Sequence, residues 1–113
     1  MATPDPAHEP LLGLVGLGVR GGLAMPGVEV ARAWLQQGKC HAIMLAQDAS
    51  PRSRLKVVRL AKRSGVPIVA GPDAETLGAR LGRPPVMVVA VRDRSLAAGI
   101  IAAARTGDRL MED

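Results

Sequence analysis

Aromatic residues are almost missing from this chain: Trp34 is the only ring among 113 residues, with no Phe and no Tyr. A protein that binds single strands by stacking bases on several exposed rings is therefore excluded. Cysteine is equally scarce. Cys40 alone permits neither an internal disulfide nor a cysteine-based zinc site, and it suits a reducing compartment, so the expected location is cytoplasmic. Long apolar runs are absent as well. The stretch from Leu11 ends at Arg20, well short of the ~20 residues that span a bilayer, and no membrane partner is expected. The first nine residues also lack the continuous apolar core of a secretion signal.

What the chain does contain is charge of one sign and small apolar residues. Fifteen Lys and Arg stand against ten Asp and Glu, a net charge of +5 that favours phosphate-rich partners without naming one. The hydrophobic fraction of 48% can fill one core, and a domain of this length buries roughly two-thirds of its unfolded surface. Residues 1–9, with Pro4 and Pro6, are expected to form a disordered tail, 10–105 a single α/β domain and 106–113 a C-terminal tail.

Residues 10–19 read equally as a buried helix or a buried strand, because continuous apolarity erases the period. Residues 27–37 show one apolar stripe of Val28, Ala31, Trp34 and Leu35 ending at Gly38, which predicts a helix. A buried strand is expected over 41–47. Ser50 and Pro51 then cap and open a helix that runs to Ser64 and Gly65. A strand over 66–70, a helix over 74–81 capped by Asp73, a strand over 86–91 and a helix over 94–104 capped by Asp93 complete the pattern. Such alternation predicts a three-layer α-β-α sandwich around a small central sheet of about four strands.

Gly16, Gly18 and Gly21 spell G-x-G-x-x-G, which in a dinucleotide-binding fold would open a long helix under a pyrophosphate. Pro26 and Gly27 interrupt the chain too soon for that helix, so close packing or a tight turn is the expected role and no cofactor is implied. His8 and His41 have no partner marking a general base or a metal site, and no paired carboxylates share a helix face. No catalytic or metal-binding residue is expected, and Cys40 reads as a small buried hydrophobe. Arg52, Lys56, Arg59 and Arg63 follow a 4-3-4 spacing within a stripe about 60° wide. Most such runs are solvated faces; phosphate contact is the sharper alternative. Arg20, Arg32, Arg80 and Arg83 lie at element ends, where loops would gather guanidiniums over an RNA backbone.

The order of several phrases resembles the L-seven-Ae kink-turn-binding family of ribosomal proteins, particularly its small bacterial members. The phrases are LVGLG at 14–18, RGG at 20–22, Gly27, QGK at 37–39, IMLAQDA at 43–49, GVPIV at 65–69, LGARLG at 77–82 and VVAV at 88–91. The resemblance covers roughly residues 14–100. It implies the same sandwich and RNA binding without catalysis. Family members set the turn before the second helix, and that helix's first residues, against sheared G·A pairs; a loop before the last strand closes over the flipped-out nucleotide. Those regions correspond here to 27–33 and 83–87.

The family pattern after the glycine is x-Asn-Glu-x-x-Lys, and here Glu29, Val30 and Ala33 occupy those places. Arg32, one residue away, is a partial substitute for the Lys. Asp48 is retained while the preceding acid has become Gln47, and the 74–75 region lacks a basic residue that the family often carries. The expected RNA-contacting set is Arg20, Gly27, Glu29, Val30, Arg32, Ala33, Asp48, Arg83, Val86 and Met87. The expectation is a monomeric, non-enzymatic protein bound to structured RNA, ribosomal or kink-turn-like, on or off the ribosome, with weak kink-turn recognition. The alternative is a protein-interaction module that keeps the scaffold and has lost RNA binding.

Overall fold

The apolar stretch after Pro10 is a helix, α1 (Glu9–Arg20), which buries Leu11, Leu12 and Val15 on one side. The structure, a computed structural model, describes residues 9–106, so His8, nearly all of the expected N-terminal tail and the C-terminal residues beyond 106 lie outside it. Glu9, expected in the tail, is the first residue of α1 and pairs with Arg80 at 2.6 Å.

The chain continues through β1 (Ala24–Pro26), α2 (Val28–Gln36), β2 (Ala42–Leu45), α3 (Pro51–Ser64), β3 (Ile68–Ala70), α4 (Ala74–Arg80), β4 (Val88–Val91) and α5 (Arg94–Thr106). The three strands expected from sequence are present but shorter. The fourth, β1, completes the sheet; its three residues carry no alternating pattern and are extended because they pair with β4, Met25 opposite Ala90. The sheet order is β1-β4-β2-β3, with β2 and β3 parallel and the other pairs antiparallel. Both edge strands have three residues, and Pro26 and Pro67 stand in or beside them. A proline cannot donate to an added strand, so both edges resist further pairing.

Alternation along the strands creates two cores. Met44, Val89 and Val91 face α1, α5 and Leu77 of α4, whereas Ile43, Leu45, Val88 and Ala90 face Ala31 and Leu35 of α2 and Val57 and Ala61 of α3. Each fully buried Leu, Ile or Val contributes about 1.5–3 kcal/mol relative to exposure. Helix ends follow the expected chemistry: Ser50 accepts from Ser53 N–H at 3.2 Å, Asp73 from Thr76 N–H at 3.0 Å and Asp93 from Leu96 N–H at 2.8 Å.

Of the G-x-G-x-x-G glycines, Gly18 serves packing, whereas a Cβ on Gly16 would meet open space. Gly16 and Gly18 lie inside α1, and a Cβ on Gly18 would collide with Leu96 of α5. The helices meet there because the side chain is absent.

Candidate nucleic-acid interface

Strand register places the ends of β1, β2 and β3 and the start of β4 at one end of the sheet, since Pro26 pairs with Val89 and Leu45 with both Val88 and Ala70. The helices that follow those strands, α2, α3 and α4, therefore all begin there. Three positive helix ends converge at that edge. Ser50 and Asp73 each accept one first-turn N–H, those of Ser53 in α3 and Thr76 in α4, whereas α2 opens on Gly27 with no side-chain cap. The N–H groups of Val28, Glu29 and Val30 consequently lack an intrahelical acceptor, a geometry suited to phosphate or another anionic group.

Gly27 adopts φ 127°, which a side chain would strain, and this turn aims the chain from β1 into α2. Its N–H donates to Val88 O at 2.9 Å, pinning the turn to the start of β4. The segment over 83–87 arrives at the same place. Gly82, at φ 68°, turns the chain after α4; Arg83 N–H then donates to Gly78 O at 2.8 Å, and Val86 N–H to Ala74 O at 3.0 Å. A Cβ on Gly78 would collide with the Pro84 carbonyl, so the segment rests directly on α4.

Together the two segments line an open groove of about 380 Å³, bounded by Pro26, Gly27 and Val28 on one side and residues 83–87 on the other. Arg83 is the one charged residue in that lining; the others offer backbone, proline rings, valines and a methionine. Short apolar groups of this kind can pack on an extruded base where no aromatic ring is available.

The other expected contact residues have mixed placements. Glu29 is exposed on the first turn of α2, its carboxylate 3.4 Å from Arg32 and 3.7 Å from Lys56 of α3. Exposed pairs of this length contribute about 0–1 kcal/mol and hold no rigid geometry. Arg32 directs one terminal nitrogen to Glu29, but its Nε is buried without a protein acceptor. Val30 and Ala33 are half-buried on the same helix. Arg20 lines a separate depression with Arg80 and Leu81, and the fold does not bring it into the groove. Asp48 also stands back from the groove: its Oδ1 accepts Ala74 N–H at 2.7 Å, tying the β2–α3 turn to the start of α4. The N-terminal carboxylate of that helix, Asp73, is held below its usual range by the Thr76 hydroxyl and N–H.

At the opposite end of the sheet, Arg92 donates to Gly22 O at 2.9 Å and stacks over Trp34 at 5.4 Å. The single aromatic thus serves as a packing anchor. Cys40 is buried, donates its thiol to Ala42 O at 3.2 Å, and has its thiol pushed up by burial. Among the described residues there is no group of three or more His, Cys, Asp or Glu positioned to hold a metal ion, and no helix long and apolar enough to cross a membrane.

Fold and groove define a small α-β-α sandwich domain that presents the mouth of α2 beside the segment preceding β4. The chain belongs to the ribosomal protein L7Ae/L30e/S12e/Gadd45 family, matched over residues 19–99. Among solved structures, it is similar to a protein with unknown function from Bacillus halodurans, with TM-score 0.78 and 22% identity over 84% of this chain and 96% of that one. It is also similar to a 15.5 kD RNA-binding protein from Giardia lamblia, with TM-score 0.73 and 23% identity over 91% and 98% of the two chains. No curated protein matches the chain.

Proposed function

We propose that this protein binds structured RNA, with an extruded nucleotide and its neighbouring phosphates seated in the groove between residues 26–28 and 83–87. The carrying observation is that two segments far apart in sequence line one groove. One contributes uncapped helix N–H groups, and the other contributes apolar surface and Arg83. Membership of a ribosomal-protein family and the name of the Giardia neighbour support the same reading.

Within that reading, a standard kink-turn is a weak ligand. Family members meet the guanine edges of sheared pairs with an amide and a carboxylate, and here Glu29 brings a negative charge while Val30 offers no acceptor. A good bidentate base contact discriminates by about 1–3 kcal/mol, so losing two lowers affinity by orders of magnitude. Arg32 and Arg83 remain as the phosphate-facing cations of this surface, and leaving Glu29 would free the Arg32 fork for a phosphate oxygen.

The test compares a labelled RNA containing a sharp internal turn with a fully paired duplex of equal length. The turn-containing RNA is expected to bind more tightly, with log affinity falling against log salt at a slope of about −2 to −5, equivalent to roughly 3–5 phosphates. Equal affinity for the two RNAs, or no retention of either at low salt, overturns the reading and favours a protein-interaction module.

A further inference from the structure

The whole positive excess of the chain sits on one helix. Helix α3 carries Arg52, Arg54, Lys56, Arg59, Lys62 and Arg63 and no acidic residue. Outside it, nine basic residues stand against ten acidic ones, so the rest of the chain is slightly acidic. A solvated structural helix ordinarily mixes signs, because like charges three and four positions apart repel and weaken the helix. This helix keeps those repulsions along its outer face.

Arg52, Lys56, Arg59 and Arg63 form one row, rising ~4.5–6 Å per step along the axis. Arg52, Arg59 and Arg63 are exposed, and among the described residues no carboxylate pairs with them. Lys56 meets Glu29, at 3.7 Å. Arg54 points elsewhere, to Gln47 O at 3.3 Å. The inner face of α3 is occupied: Val57 and Ala61 are buried against the sheet, and Val58 and Leu60 pack beside them. No apolar stripe remains to enter a lipid surface, since Leu55 is the single large exposed hydrophobe on the helix. Three of the four cations in the row are arginines, whose planar forks match phosphate oxygens. The row starts at the sheet end that carries the groove and runs away from it along the α2–α3 layer.

We propose that this face of α3 is a second RNA surface, lying along the phosphate backbone of a duplex stem that continues from the RNA held in the groove. The link to the groove rests on the RNA reading above; the affinity of α3 for duplex phosphates does not.

The full chain is titrated with three RNAs: a plain long duplex, a sharp turn flanked by short stems, and the same turn with one long stem. The variant carries Arg52→Gln, Arg59→Gln and Arg63→Gln, changes that keep good helix formers at exposed positions. It is expected to lose about tenfold in affinity for the duplex and the long-stem RNA, with the salt slope reduced by about 2–3. Its affinity for the short-stem turn is expected to stay within about twofold of the parent, its melting temperature is expected not to fall, and the matching Lys triple is expected to retain the duplex slope. A Gln triple that binds the long duplex with unchanged affinity and slope overturns the proposal, as does a parent protein with no affinity for that duplex. A short-stem turn that binds no better than a short duplex overturns the groove reading instead, and the long-duplex arm still decides the role of α3.

Discussion

Asp48 is connected to Val86 through one intervening residue: its carboxylate accepts Ala74 N–H at 2.7 Å, and the Ala74 carbonyl accepts Val86 N–H at 3.0 Å. The wall of the groove is thus held from the β2–α3 turn, by a residue that does not line the groove itself. Asp48→Ala removes the acceptor and is expected to lower stability by about 1–2 kcal/mol, the usual range for a lost helix cap. Amide exchange at Val86 should accelerate with it, while Asp48→Asn retains most of the protection. Urea melts and exchange rates measured on both variants check this; unchanged protection at Val86 in Asp48→Ala contradicts the relay.

Acid sensitivity should follow from Asp73. Its carboxyl is held below the ordinary range by the Thr76 hydroxyl and N–H, so the folded state favours the charged form. The resulting stabilisation is present above the unfolded value of about 4 and is lost as pH falls through the lower folded value. Glu9, lowered by Arg80, contributes with the same sign. Asp73→Asn should therefore flatten the acid side of a stability–pH curve while changing little between pH 6 and 8. Urea midpoints measured between about pH 2.5 and pH 7 decide it, and parallel acid limbs in parent and variant are the contrary result.

Restoring the family pattern should restore recognition. Glu29→Asn, Val30→Glu and Ala33→Lys together are expected to raise affinity for a standard kink-turn at least tenfold, about 1.4 kcal/mol. Removing Glu29 loses only its exposed ion pairs with Arg32 and Lys56, so the fold should tolerate the change. Titration of both proteins into one labelled kink-turn at fixed salt and Mg²⁺ is the check. Tight binding by the unmodified chain, or no gain from the triple substitution, contradicts the assigned roles of these positions.

Helices α2 to α5 were legible because their caps, apolar stripes and glycine stops are local signals: Ser50, Asp73 and Asp93 cap as their sequence positions imply. Helix α1 was ambiguous, since buried apolar residues look alike in a strand and a helix until the partner surface is known. Strand β1 left no trace, because Ala24, Met25 and Pro26 owe their extension to β4, far along the chain. The two halves of the groove were legible through family phrases, and the turn at Gly27 explains why that glycine is present. Side-chain partners were not. Glu29 meeting Lys56 depends on how α2 and α3 pack, and the separation of Arg20 from the groove depends on the path of α1.

The most direct measurement of the central claim is amide chemical-shift mapping of the ¹⁵N-labelled protein during titration with a turn-containing RNA. The largest changes are expected on residues 27–32 and on Arg83, Val86 and Met87, the two segments that line or open onto the groove. Changes confined to other surfaces, or an unperturbed spectrum at RNA excess, contradict it.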